Sequence, residues 1–289
     1  MGIHPDRKRL SDELHARPFH DFDGAGRFIR YVFLYENSDE AIVSHINDWL
    51  SSQHRLPLDM SEKFRRETFD NFIFRIERHT EFVTIGLIMK GKPVRTGLCE
   101  GAFDKSACTG VPFDVIEAMP ADLFHAIWLE IGGRAPAKLD PLKVQFMLNS
   151  RAGASSQISD GAGQIHCSFD IDENGFSRGI LFHDGISAAR MGRLVLRVIE
   201  METYRMLALL GLPVAREHLS TLVEIERALT GLTRRLTEQI SGDGAEVQAL
   251  LPELSQLAAQ VEDISANTSY RLSATKAYHD IFLARPEGL

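Results

Sequence analysis

Ionisable side chains crowd one short segment, Arg75-Ile76-Glu77-Arg78-His79-Thr80-Glu81-Phe82, beside what reads as a β turn. An imidazole, carboxylates and guanidinium groups gathered this closely can supply a general base, a general acid and an anion clamp. The same residue types also suit the solvent face of an antiparallel strand pair, where charge needs no function. Arg78, His79 and Glu81 are taken from this segment as candidate ligand-binding residues. Arg178 and Arg205 join them as guanidiniums able to grip an anionic small molecule.

A second concentration interrupts the most apolar helical stretch of the chain, where Glu200, Glu202, Tyr204 and Arg205 stand among Val198, Ile199, Met201, Met206 and Leu207. At helical spacing Arg197 faces Glu200, and Glu200 faces Tyr204. Carboxylates on a buried face need partners, and Arg193 and Arg197 can provide them. Arg193, Arg197, Glu200 and Glu202 are therefore read as structural ion-pair residues that dock a helix on the rest of the fold. His15 and Arg17, at the end of a short N-terminal helix, are explained by the helix dipole.

Other chemistry finds little foothold. His166 and Asp170 share a strand face, but neither their spacing nor that of Cys99, Cys108 and Cys167 approaches a zinc signature, so no metal ligand is assigned. The sequence contains no G-x-x-x-x-G-K-[ST], no G-x-G-x-x-G and no G-x-S-x-G, and no cofactor is named. The three cysteines, odd in number and widely spaced, are expected to be reduced thiols of a cytoplasmic protein. A net charge of -8 without a Lys/Arg block argues against nucleic acid as a partner.

The elements that must position these residues follow from periodicity. A short helix is expected over His4–His15, a strand over Phe28–Glu36, and a helix from about Asp39 to Ser52 behind an Asn37-Ser38 cap. Phe72, Phe74 and Ile76 alternate with charged residues, and Phe82–Met89 follows at once, which predicts a hairpin turning near His79-Thr80. A helical stretch near Pro112–Met119 and a strand over His125–Ile131 come next. The alternation of Ile165, Cys167, Phe169 and Ile171, the turn Glu173-Asn174-Gly175 and the return over Phe176–Phe182 predict a second hairpin.

Beyond Gly185 the pattern is helical, from a cap at Ser187 past Tyr204, interrupted at Pro213 and continuing to about Ile240. Leu222, Ile225, Leu229, Leu232 and Leu236 recur at heptad spacing, as do Leu250, Leu254, Leu257, Val261 and Ile264. With Ser241-Gly242-Asp243-Gly244 between them, an antiparallel helical hairpin is expected. The longest strongly apolar run, Met206–Leu212, falls far short of the roughly 20 residues that span a bilayer, so no crossing is expected within this sequence.

Three groups of residues together carry a family likeness: His4-Pro5 through Leu14-His15-Ala16-Arg17-Pro18; Glu77-Arg78-His79-Thr80-Glu81-Phe82; and Gly175-Phe176-Ser177-Arg178 followed by Gly192-Arg193-Leu194-Val195 and the long run Glu200 to Arg216. In this order they resemble the uncharacterised membrane-anchored proteins grouped as domain of unknown function 3422. The resemblance spans essentially the whole chain. It implies further helix and a C-terminal membrane anchor, which this sequence lacks, and it implies no catalytic residue.

The resulting expectation is an α+β protein. Residues 1–185 form a head with a mixed or antiparallel sheet and flanking helices, and 186–289 form a long coiled-coil-like hairpin. Its function is read as ligand binding or sensing combined with self-association through the C-terminal helices, on the cytoplasmic face of a membrane reached only through an absent segment. Two other readings are an enzyme with Arg, His and Glu residues at the ends of the β hairpins, and a plain coiled-coil scaffold.

Overall fold

The computed structural model describes residues 20–94, 97–135, 140–239 and 244–285, together with His4, Arg7 and Lys8. The helix expected over His4–His15 and the turn expected over Ser241–Gly244 lie almost wholly outside these residues. The described chain divides into two compact units, one running through Thr203 and including Arg285, the other Tyr204–Ala284.

The first unit is built on eight strands: β1 (Gly26–Leu34), β2 (Phe64–Thr68), β3 (Ile73–Arg78), β4 (Phe82–Lys90), β5 (Asp122–Gly132), β6 (Gly153–Ile158), β7 (Gly163–Ser168) and β8 (Ser177–His183). They form one mixed sheet in the order β2-β3-β4-β1-β5-β8-β7-β6, antiparallel everywhere except between β5 and β8. Helices α1 (Glu40–Ser52), α2 (Phe113–Glu117) and α3 (Pro141–Leu148) interrupt the strands. Both expected hairpins are present, β3–β4 and β7–β8, the second closed by Gly175 at a φ of 84° that a side chain would resist.

Strand β1 is buried along almost its whole length because both sheet faces are covered. Successive residues of a strand point to opposite faces, so two cores result. On one face Ile29, Tyr31, Phe33, Phe74, Ile76, Ile85, Leu87 and Trp128 pack with Ile42, Val43, Ile46, Trp49 and Leu50 of α1. The N-cap of that helix is Asp39, one residue past the expected Asn37-Ser38 cap and without a side-chain capping bond, while the Ser38 hydroxyl accepts the Glu40 backbone N–H at 3.1 Å. On the other face Phe28, Ile88, Ile127, Leu129 and Ile131 pack with Met191, Leu194, Val195, Val198 and Ile199, one stripe of the long helix α4 (Ala188–Ala208). Each such side chain removed from water contributes about 1.5–3 kcal/mol. This stripe carries the first compact unit through Thr203.

The second unit contains α5 (Gly211–Gln239) and α6 (Gly244–Ala284). The helical interruption falls at Leu209–Leu210, and Pro213 sits inside the first turn of α5, where its missing N–H costs no hydrogen bond. Tyr204 stacks on Tyr278 with centroids 5.9 Å apart, Gly211 abuts Thr275, and Arg235 pairs with Glu253. As one partner advances along the sequence the other recedes, so the two helices run antiparallel.

By length and composition the helical stretch Ala188–Thr237, broken at Leu209–Leu210, contains a mostly unburied segment apolar enough to cross a membrane. Counting unbroken apolar runs misses it because scattered charges divide the stretch. Its first half is committed to the sheet through Met191, Leu194, Val195, Val198 and Ile199.

Candidate functional site

On the α4 side of the sheet, strand register lines up residues of contrasting chemistry. Ile73, Ile88, Phe28 and Leu129 form an apolar row across β3, β4, β1 and β5. The next row is Arg66, Arg75, Gly86, Arg30 and Ile127, starting from the edge strand β2, and the one after it is Phe64, Glu77, Thr84, Val32 and His125. Two adjacent rows of one sheet face thus hold three arginines, a glutamate and a histidine. Arg30, Arg75, Glu77 and His125 are 3%, 2%, 5% and 2% exposed.

The geometry of these groups is specific. Glu77 Oε1 accepts from Arg75 Nη2 at 2.9 Å and from Arg30 Nη2 at 3.4 Å, and Glu77 Oε2 lies 3.9 Å from His79 Nε2. The His79 ring stacks on Phe82 with centroids 4.0 Å apart, and the Tyr35 hydroxyl donates to the His79 carbonyl. Arg75 lies over the Phe64 ring and Arg30 over that of Phe28. Burial makes the Arg75 proton easier to lose, Glu77 opposes this, and the positive charges of Arg30 and Arg66 add to it. At the exposed end Arg66 Nη2 is 3.0 Å from His20 Nδ1, and burial followed by the Arg66 charge lowers the pKa of His20.

Of the candidate ligand-binding residues, His79 and the buried Glu81 flank the β3–β4 turn at the end of this cluster. Arg78 points to the opposite face, where its Nε and Nη2 grip Asp39 at 2.5 and 2.9 Å and its Nη1 donates to the carbonyls of Met60 and Glu62. These bonds make Arg78 a clamp between the hairpin and the start of α1. Arg178 stands four strands away, about 19 Å at the usual strand spacing. It donates to Asp172 Oδ2 at 2.6 Å, lies over Phe103, and lines a cavity of about 220 Å³ with Lys105, Trp128 and Phe176. Arg205 is half-buried and belongs to the second unit.

Among the ion-pair residues, Glu200 lies 2.8 Å from Arg285 Nε, and Glu202 is 2% exposed. Arg193 is exposed and Arg197 half-buried. His166 is buried, with Nδ1 2.7 Å from the Ser155 hydroxyl. Among the described residues no group of three or more His, Cys, Asp and Glu side chains is placed to hold a metal ion.

A second buried charge pair lies on the α1 side of the sheet. Arg27 and Glu130 are register partners, their Nε and Oε1 atoms 3.3 Å apart. Trp128 Nε1 and the Phe103 backbone N–H also donate to that oxygen, at 2.8 and 3.2 Å. Arg27 further reaches Cys108 Sγ at 3.3 Å and the Glu100 carbonyl, on the wall of a cavity of about 550 Å³. Burial raises the Glu130 carboxyl, which Arg27 counteracts, and pushes the Cys99 thiol up to about 11.

Arg27, Arg30, Arg66 and Glu130 were not among the sequence candidates, and Arg75 entered only as part of the segment Arg75–Phe82. One signal was available: Arg27 and Arg30 stand inside an otherwise apolar strand. Two charges in such a segment are either on its open face or buried with partners.

In the second unit the two expected seams divide by burial. Ile225 and Leu232 are 4% and 6% exposed, whereas Leu222, Leu229 and Leu236 are 43%, 37% and 39% exposed. On α6 Leu254 and Val261 are likewise exposed. Leu222, Ile225 and Leu229 line a shallow groove with Thr230, Thr233 and Thr237.

These features define an α+β protein with a two-face mixed sheet, a buried ionisable cluster and long C-terminal helices. The chain belongs to the family described as Protein of unknown function (DUF3422), whose model matches residues 2–289. No curated protein and no solved structure matches it.

Proposed function

We propose that the protein is a self-associating module whose copies join through the exposed seam of the α5–α6 hairpin, leaving the α+β head to sense a ligand. The observation that carries this reading is the alternation along α5, where buried Ile225 and Leu232 are interleaved with exposed Leu222, Leu229 and Leu236. Two helices make a single layer and can cover only one side of each other. The other side gains burial when a second layer is added, as in a four-helix bundle.

The chemistry of the groove favours a second copy as that layer. Thr230, Thr233 and Thr237 donate their hydroxyls to the carbonyls of Glu226, Leu229 and Thr233, each at 2.8 Å. Covering them strands no hydroxyl donor. Residues 211–239 carry four Arg and four Glu, while 244–284 carry five acidic and two basic residues. An anionic lipid surface calls for a basic polar face, whereas mixed charge suits pairing with another copy of the same helices.

The reading further places the assembly at the cytoplasmic face of a membrane, attached through a segment outside these 289 residues. Its support is the family resemblance in the sequence and the three buried free cysteines, which suit a reducing compartment. The test of association is light scattering on the parent and on a Leu222→Glu, Leu229→Glu variant. A dimer or higher oligomer in the parent that becomes a folded monomer in the variant is expected. A parent that stays monomeric at high concentration overturns the reading.

A further inference from the structure

The row Arg66, Arg75, Gly86, Arg30 is an uneconomical way to build a sheet. Like charges directly opposite one another destabilise a strand pair, and Arg66 faces Arg75 directly. Arg75 and Arg30 are both register partners of Gly86, which contributes no side chain between them. A Cβ at Gly86 would meet the Phe28 ring at 2.9 Å, so this position is held open for the ring that lies under Arg30.

The positive charge is also incompletely answered. Arg75 and Arg30 reach the same oxygen of the same carboxylate, at 2.9 and 3.4 Å. The Nε atoms of both are buried without a hydrogen-bond partner among the described residues, although the residues are only 2% and 3% exposed. A buried guanidinium N–H without an acceptor is costly, and buried charges persist where something compensates them.

We propose that this row is a binding site for a phosphoryl dianion, with the exposed Arg66 meeting the ligand at the sheet edge and Arg75 and Arg30 holding it from within. Arg75 and Arg30 share one carboxylate and Arg66 adds a third guanidinium, so among the described residues of these two rows two positive charges are left for a dianion to match. Guanidinium forks suit the oxygens of a phosphoryl group. His20, whose ring nitrogen lies 3.0 Å from Arg66, steadies the outer guanidinium. The site is independent of association through the hairpin.

The test is calorimetric titration of the full 289-residue chain with inorganic phosphate, glycerol phosphate and vesicles of an anionic phosphodiester lipid, at constant ionic strength, with melting temperature read in parallel. Phosphate and the phosphomonoester should bind and raise the melting temperature, and the vesicles, whose diesters carry a single charge, should not. Arg66→Gln alters an exposed residue and should leave the fold intact while weakening phosphate by about tenfold. Arg75→Lys keeps the charge, loses the fork, and should weaken it further. Absence of heat and of any melting shift up to about 20 mM phosphate overturns the proposal. Parent-like phosphate affinity in a folded Arg66→Gln variant overturns it as well, as does binding of vesicles alone.

Discussion

Arg30 and Arg75 lie on strands that are not neighbours, yet both end on one oxygen of Glu77, at 3.4 and 2.9 Å. Removing that carboxylate leaves two buried guanidiniums facing each other. Glu77→Gln, which keeps the shape and removes the charge, is expected to cost about 3–5 kcal/mol in urea unfolding. Glu117→Gln removes the half-exposed partner of Lys105 and should cost about 0–1 kcal/mol. Equal losses from the two variants would show that Glu77 does not compensate the arginines.

What periodicity could and could not show follows from how each element is buried. The β3–β4 and β7–β8 hairpins and α1 announce themselves because their apolar residues recur with the period of the element, and β1 does so through its run of Phe, Ile, Tyr and Val. Strands β2 and β6 do not, since Phe64-Arg65-Arg66-Glu67-Thr68 and Gly153-Ala154-Ser155-Ser156-Gln157-Ile158 lie at the two sheet edges and need little apolar character. Helix α3 is short, though the Asp140 side chain that accepts the Leu142 N–H and the Pro141 behind it form a readable start signal. Strand alternation could also have separated Arg78 from His79, which follow one another and face opposite sides of the sheet. The row of Arg66, Arg75 and Arg30 was beyond reach, because it exists only once the register of four strands is known.

The Arg27–Glu130 pair makes a prediction about the cysteines beside it. Burial pushes the Cys99 thiol up to about 11 and raises that of Cys108, while the nearby Arg27 charge works against both shifts. At about pH 8 neither thiol should be ionised to any useful extent. A thiol reagent is expected to leave Cys99 and Cys108 unmodified in the folded protein and to modify them in urea. Rapid modification of either residue in the native state would contradict this.

His166 supplies a pH dependence whose sign is fixed by its surroundings. Burial lowers its pKa below the ordinary 6.5, so the fold favours the neutral ring. Stability from this preference is present above the unfolded value and is lost as pH falls through 6.5 toward the lower folded value. His166→Gln cannot titrate and should narrow the difference in urea midpoint between about pH 7.5 and about pH 5.5. An identical difference in parent and variant would remove His166 from the acid response.

Glu200 and Glu202 sit on one helix but in different surroundings. The Glu200 side chain is 20% exposed and its partner Arg285 is 36% exposed, so Glu200→Ala should cost about 0–1 kcal/mol. Glu202 is 2% exposed, and its removal should cost about 3–5 kcal/mol by stranding the groups it serves. Urea unfolding of both variants decides the point. A larger loss from Glu200→Ala would reverse the assignment.

The hairpin offers a sharper contrast, because neighbouring seam residues should fail in different ways. Ile225 is 4% exposed within the second unit, and Ile225→Ala should cost about 2–5 kcal/mol at any protein concentration, since the cavity lies inside each copy. Leu222 is 43% exposed and has little packing of its own to lose. Leu222→Ala should therefore change the unfolding of dilute protein by less than about 0.5 kcal/mol. If the seam closes against a second copy, the same variant should dissociate at higher concentration than the parent, because the lost contact lies between copies. Stability of a self-associating protein rises with concentration, so urea midpoints measured across a dilution series separate the two effects. Ile225→Ala should lower the whole series, and Leu222→Ala should lower only its concentrated end. A uniform drop for Leu222→Ala would place that leucine in the packing of a single chain and leave the exposed seam without its second layer.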